Sequence, residues 1–169
     1  MGFPARLFSV ILRVSPGRIR NWMWKWWYQR LAKAHHRSDF RFMNYGYKDD
    51  KGPKLSREDE PNRLFIQLYH MNIRDIDLQG REVLEVGSGR GGGASWIAKY
   101  CEPESLVGVD FSKEAVRLSR KWYSEQENLS FIEGNAESLP INDSAFDVVY
   151  NVESSHCYGN MRAFAGEVN

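Results

Sequence analysis

Val83-Leu84-Glu85-Val86-Gly87-Ser88-Gly89-Arg90-Gly91-Gly92-Gly93-Ala94-Ser95-Trp96 sets an apolar run against five glycines, after which a helical pattern begins. The pattern predicts a strand, a tight turn and the opening of a helix. Glycine is needed where the backbone takes a positive φ or where a ligand must approach without a Cβ in the way. The helix beyond the turn offers unpaired N–H groups and the positive end of a dipole. Gly87-x-Gly89-x-x-Gly92 also satisfies the dinucleotide pattern, so the glycines alone leave a nicotinamide cofactor open, as well as a turn with no ligand. Glu85, two residues before the first glycine, is the discriminating residue. A carboxylate there is expected to lie near the strand end and face the ligand. It suits a cationic ammonium and suits a pyrophosphate badly.

Outward from this stretch, strands and helices alternate. Leu106–Asp110, Leu129–Ile132 and Phe146–Tyr150 read as three further strands. Residues 113–125 read as a helix capped by Ser112, with Ala115, Leu118 and Trp122 on one face. Leu64, Phe65, Leu68 and Tyr69 give a helical stripe over residues 61–72, and Pro61 suits a first helical position. Met161, Phe164 and Val168 begin another. Alternation of this kind predicts an α/β fold with a parallel, doubly wound sheet. The ligand then belongs beyond the carboxyl ends of the strands, at the switch point beside the first. Asp110 lies 23 positions past Gly87, at the end of the second strand, where a carboxylate can accept both ribose hydroxyls of an adenosine cofactor. Taken alone it reads equally as a helix-capping aspartate.

The chain has 169 residues, 42% hydrophobic and 27% charged, which suits one globular domain with a real core. Its charge is uneven. Residues 1–40 carry eight basic side chains against Asp39 alone, a net +7; the whole is +1, so the rest carries −6. Trp22, Trp24, Trp26 and Trp27 fall in a predicted helix over residues 18–34. That helix reads as core packing, as an interfacial helix on an anionic lipid surface, or as a stacking platform for bases. The acidic remainder makes nucleic acid the least favoured. Residues 1–58 are accordingly expected to form a basic helical arm and loop, and 59–169 the ligand-binding core. Cys101 and Cys157 lack metal-ligand spacing and are expected to be free thiols, with no metal site. No apolar run reaches the ~18 residues needed to span a bilayer, and the expectation is a cytoplasmic protein with peripheral membrane contact through residues 18–34.

The stretch Glu85–Gly91, then Val109-Asp110-Phe111-Ser112, Gly134-Asn135-Ala136-Glu137-Ser138-Leu139-Pro140 and Phe146-Asp147-Val148-Val149 occur in the order that resembles class I S-adenosylmethionine-dependent methyltransferases of the small-molecule type. Phe42-Met43-Asn44-Tyr45-Gly46-Tyr47, Asp59-Glu60-Pro61-Asn62-Arg63 and Asn151-Val152-Glu153-Ser154-Ser155-His156-Cys157-Tyr158 narrow the resemblance to the mycobacterial phthiotriolone and phenolphthiotriolone dimycocerosate methyltransferases, which O-methylate a hydroxyl on a long-chain lipid. The resemblance implies S-adenosylmethionine as cofactor. It places Glu85 near the methionine ammonium, Gly87, Gly89 and Gly91 in the turn, Asp110 on the ribose with Phe111 beside it, and Asn135 and Ala136 at the adenine, with Asn151 also in the site. The family usually has Asp where this chain has Asn135. An oxygen nucleophile gains from a general base, and His156, on the loop after the fourth strand, is the candidate. A histidine that merely hydrogen-bonds within the loop is the competing reading; Glu153, Tyr158, Tyr69 and His70 are lesser candidates.

The resemblance implies seven strands, and the pattern supplies four, so the expected fold is Rossmann-like and C-terminally incomplete. The expected activity is methyl transfer from S-adenosylmethionine to a lipid-like or small-molecule hydroxyl. The alternative is a non-catalytic module that binds cofactor or a partner chain.

Overall fold

The first strand, β1 (Glu82–Val86), sends successive side chains to opposite faces, so Val83 and Glu85 share one face while Leu84 and Val86 share the other. A computed structural model describes residues 40–169, and the helix expected at 18–34 lies outside them. Val83, Leu84 and Val86 are all buried, so both faces of β1 are covered, as a parallel sheet requires. Only Glu85 interrupts the apolar run.

β2 (Ser105–Asp110), β3 (Leu129–Glu133) and β4 (Val148–Tyr150) complete a four-stranded parallel sheet in the order β3-β2-β1-β4. Val83 pairs with Leu106 on one side and Val148 on the other. The order reverses at β1, which puts the switch point between β1 and β4. A 3₁₀ turn (Glu60–Asn62) carrying Pro61 leads into α1 (Arg63–Ile73). α2 (Gly92–Tyr100) links β1 to β2, and α3 (Lys113–Trp122) links β2 to β3. A 3₁₀ turn (Ser155–Cys157) and α4 (Met161–Glu167) follow β4.

Two core clusters sit on the two faces of the sheet. Val83 packs with Ile66, Ile97, Leu106 and Phe131 against α1, α2 and α3. Leu84 and Val86 pack with Val109, Ala136 and Phe164 toward α4. Burying a Leu, Ile, Val or Phe contributes about 1.5–3 kcal/mol each, so these residues dominate the fold's stability. Phe42 enters the first cluster and stacks on Phe65 at 5.8 Å, which pins the segment before α1 to the core.

Three boundaries differ by two residues or more from the sequence-based expectation. Helix α3 stops at Trp122 because Tyr123 leaves helical geometry and buries its ring against Phe131. β4 begins at Val148, two residues late: the Asp147 carboxylate accepts from Glu82 N at 2.9 Å while Asp147 N donates to Glu82 O at 2.8 Å. That reciprocal pair clamps the chain at the sheet's lower end and frees Phe146 to pack on the second cluster. Pro61 lies in the 3₁₀ turn, and the α-helix proper starts at Arg63. Ser112 caps α3 as expected, accepting from Ala115 N at 3.3 Å.

Candidate cofactor site

The glycine turn is built to let other groups come close. Gly87 has φ +80°, and a Cβ there would collide with the Ser154 side chain from the loop after β4. A Cβ on Gly93 would fall inside the Tyr69 ring. The first glycine therefore admits the β4 loop, and Gly93 admits α1.

The turn's amides are already committed to the protein. Gly87 N and Ser88 N donate to Val109 O at 2.8 and 3.0 Å, Gly89 N to Asp110 Oδ2 at 2.8 Å, and Gly92 N to Arg41 O at 3.3 Å. A phosphate cradle needs such groups free. The site is unsuited to a pyrophosphate for this reason, and for its charge. Asp110 and Glu153 line the cavity and Glu85 lies below, against Arg41 on the rim.

Gly87, Gly89, Asp110 and Phe111 line a cavity at the carboxyl ends of β1 and β2, closed on its far side by Glu153 and Tyr158. Asp110 accepts from Gly89 N on one oxygen and from Ser112 N on the other, each at 2.8 Å. Each carboxylate oxygen retains acceptor capacity for a diol. Burial pushes the Asp110 carboxyl up to about 6, partly offset by the Ser112 and Gly89 amides. The enclosed space is about 60 Å³, whereas sites for ligands of nucleoside size run on the order of 300–1,000 Å³. Admission of a cofactor therefore requires the walls to move.

Glu85 differs from expectation. Its side chain is wholly buried and does not itself line the cavity. One carboxylate oxygen accepts from Tyr69 Oη at 2.9 Å and the other from Tyr150 Oη at 3.1 Å. The period-2 pattern of β1 puts Glu85 on the α1 face, where these phenols satisfy it. Burial raises its carboxyl to about 7, with the two phenols pulling the other way. Tyr69 lines the cavity, so Glu85 meets the site through that ring.

The other expected residues are distributed unevenly. Gly91, φ +76°, precedes α2 and packs away from the cavity against Phe131. Asn135 is exposed, its side chain accepting from Glu137 N at 3.1 Å, and Ala136 is buried in the second core cluster. Asn151 donates to Val86 O at 2.7 Å and to Tyr158 Oη at 2.8 Å, and thereby holds the β4 loop against β1. His156 is exposed on the 3₁₀ turn, while its neighbours Ser154, Cys157 and Tyr158 line the cavity. His70 packs its ring edge-on to Trp96, away from the cavity. Neither Cys101 nor Cys157 is in a disulfide, and Cys157 is buried.

Sequence reasoning missed Arg41, Met43 and Asn44, which line the cavity from above. The segment is tied down by Asn44 Nδ2 to Phe65 O at 3.2 Å and Tyr45 N to the Glu153 carboxylate at 2.7 Å. The aromatic run Phe40–Tyr47, too short for an element of its own, was the available signal.

Fold and site together define a Rossmann-like protein with a cavity at the β1 switch point that is lined by carboxylates rather than by a phosphate cradle. Residues 84–169 match the methyltransferase domain family, and the chain belongs to that family, of class I, S-adenosylmethionine-dependent type. It is 38% identical over 166 residues to the phthiotriol/phenolphthiotriol dimycocerosates methyltransferase of Mycobacterium tuberculosis, covering 97% of this chain and 61% of that protein. It is 43% identical over 143 residues to the fatty-acid O-methyltransferase of Mycolicibacterium smegmatis, covering 83% and 52%. The chain thus spans about three-fifths of the length of the first of these relatives. Among solved structures, geranyl diphosphate C-methyltransferase from Streptomyces coelicolor superposes with a TM-score of 0.63 at 18% identity, over 83% of this chain and 58% of that one, a likeness of fold.

Proposed function

We propose that this chain carries the cofactor half of an S-adenosylmethionine-dependent methyltransferase acting on a hydroxyl of a lipid-like acceptor. The observation that carries the reading is Asp110, buried at the end of β2, with both oxygens anchored by amides and aimed at a cavity lined by the glycine turn. The names of the relatives, a phthiotriol methyltransferase and a fatty-acid O-methyltransferase, support the lipid-like acceptor.

When bound, the cofactor would supply a methyl group activated on a sulfonium for transfer to the acceptor's hydroxyl oxygen, whose proton would pass to a base of the protein. Asp110 would hold the ribose, with Phe111 beside it. Gly87 and Gly89 would let the methionine end approach, and Asn151 sets the β4 loop, whereas Asn135 and Ala136, proposed for the adenine, lie outside the cavity lining. Alignment and exclusion of water account for much of the rate in such a transfer. His156 is the proposed base, from the turn whose neighbours line the cavity. Tyr158 is a poor one, since burial pushes its phenol up to about 12.

Calorimetric titration with S-adenosylmethionine tests the reading. Asp110→Ala should weaken binding by about 1.5–3 kcal/mol, as loss of bonds to a charged group does. Equal affinity in mutant and parent rejects the site, and tight NAD binding rejects the class. Saturable cofactor binding without turnover on any hydroxylated lipid would favour the binding-module reading. For residues 18–34, the four tryptophans and the +7 segment support contact with an anionic membrane surface. Co-sedimentation with anionic liposomes should weaken with salt and be lost on deleting residues 1–38.

A further inference from the structure

Gly46 has φ +77° and crosses directly over the first turn of α1. A Cβ there would stand 3.0 Å from Leu64 Cβ, and Tyr47 N donates to Leu64 O at 2.8 Å. Both neighbours of this glycine are tyrosines, and neither is buried. Tyr45 is 90% exposed, Tyr47 43%, and Leu64 below the crossing 50%. Apolar side chains scattered singly on a surface are ordinary, but three large ones around a single glycine form a patch, and such patches mark binding surfaces. Tyrosine suits one well, because its ring is rigid and apolar while its tip tolerates water.

The patch adjoins the mouth of the cofactor cavity. Asn44, immediately before Tyr45, lines that cavity, and Tyr45 N donates to the Glu153 carboxylate on the opposite wall at 2.7 Å. From Asn44 to Tyr47 is three residues of chain, roughly 10 Å at full extension. A long molecule whose reacting end enters beside Glu153 would therefore run out over Tyr45 and onto Tyr47 and Leu64.

The surrounding charge selects the kind of occupant. Lys48, Asp49, Asp50 and Lys51 follow Tyr47 and cancel one another. Arg63, next to Leu64, is paired with Glu60, and Glu153 adds a negative charge at the cavity end. An anionic bilayer calls for a basic rim, which this patch lacks. An uncharged alkyl chain needs no ionic partner and gains with every methylene taken out of water.

We propose that Tyr45, Tyr47 and Leu64 form the surface on which the alkyl tail of the acceptor lies while its hydroxyl end enters the cofactor cavity. Calling that tail the acceptor's rests on the lipid-acceptor reading above; the affinity of the patch for alkyl chains does not.

The test is calorimetry on the full chain, without cofactor, using primary hexyl, octyl and decyl alcohols below their solubility limits. Saturable binding is expected, each added methylene tightening it about twofold, against roughly fourfold for a methylene fully buried. Tyr45→Ser and Leu64→Gln change exposed side chains, so circular dichroism should be unaltered, and each should weaken decyl alcohol roughly three- to tenfold. Absence of saturable binding by all three alcohols overturns the proposal, as do affinities unmoved by both variants, since the chain is then held elsewhere. Co-sedimentation with phosphatidylcholine and phosphatidylglycerol vesicles separates a membrane contact. Variants that lose vesicle binding while keeping their affinity for decyl alcohol overturn the proposal. Titration of the parent chain with S-adenosylmethionine is scored separately. Alkyl binding that responds to the variants, with no cofactor binding, supports the patch and rejects the methyltransferase reading; cofactor binding without alkyl binding rejects the patch alone.

Discussion

Glu85 sits among apolar neighbours on the inner face of β1, and two phenols from different elements satisfy it. Its carboxyl titrates near 7 in the folded chain against an ordinary 4.5, because burial disfavours the charge. The folded state therefore binds this proton more tightly than the unfolded state. The resulting stability is fully present below about pH 4.5 and is lost as pH rises through 7. A shift of this size corresponds to about 3 kcal/mol. Asp110, at about 6, acts in the same direction with its window one unit lower. Denaturant unfolding between pH 4 and pH 8 should show stability falling across that range. Glu85→Gln, neutral at every pH, should flatten the fall by a few kcal/mol and leave the smaller Asp110 contribution. An unchanged slope in the glutamine variant would mean that Glu85 is ionised throughout. The alternation of β1 makes the face of Glu85 readable once one knows which side α1 covers. Both faces of this strand are apolar, so the sequence alone could not say whether Glu85 met a ligand or a tyrosine.

Segment 41–45 is the element that turns the strand ends into a closed cavity. It has no regular structure, and it is held to the core by Phe42, by Asn44, by the Arg41 carbonyl that accepts from Gly92 N, and by the bond between Tyr45 N and Glu153. Glu153 has φ +51°, in the left-handed region that side chains other than glycine rarely adopt. Such strain persists at functional sites when the surroundings impose it. The cavity is too narrow for a nucleoside, and this bond is the exposed point at which the roof meets the opposite wall. Glu153→Ala should free the roof and raise both the association and dissociation rates of S-adenosylmethionine several-fold, read by stopped-flow fluorescence. Glu153→Gly also loses the bond but relieves the strain, so it should match the alanine variant kinetically and exceed it in thermal stability. Rates unchanged in both would show that the roof opens elsewhere. The βα units were readable from hydrophobic period and glycine placement, and so were Asp110 at a strand end and Ser112 as a cap. The roof was not. Its contacts join residues between 21 and 108 positions apart, and no local periodicity encodes them.

At the scale of the whole molecule, the sheet is protected unevenly. β1 and β2 are central, and α2 and α3 cover the first face over β2 and β3. β4 pairs with β1 over three residues, and among the described residues no strand pairs with its other side. Val149 there is 36% exposed. Beside it Leu84, Ile141, Phe146 and Val168 line an open groove of about 570 Å³ on the α4 face. Unpaired N–H and C=O groups next to apolar side chains form a template for another strand, and proteins commonly block such edges with a charge. The described β4 carries none in Val148-Val149-Tyr150. The 169-residue chain should therefore self-associate, with its sedimentation coefficient rising with concentration. Val149→Lys places an ammonium at the edge without disturbing the register of Val148 and Tyr150 with β1, and it should restore a concentration-independent monomer. Asp110 is on the far side of β1, so cofactor affinity should be unaffected by this substitution. If Val149→Lys associates as strongly as the parent, the contact lies away from β4.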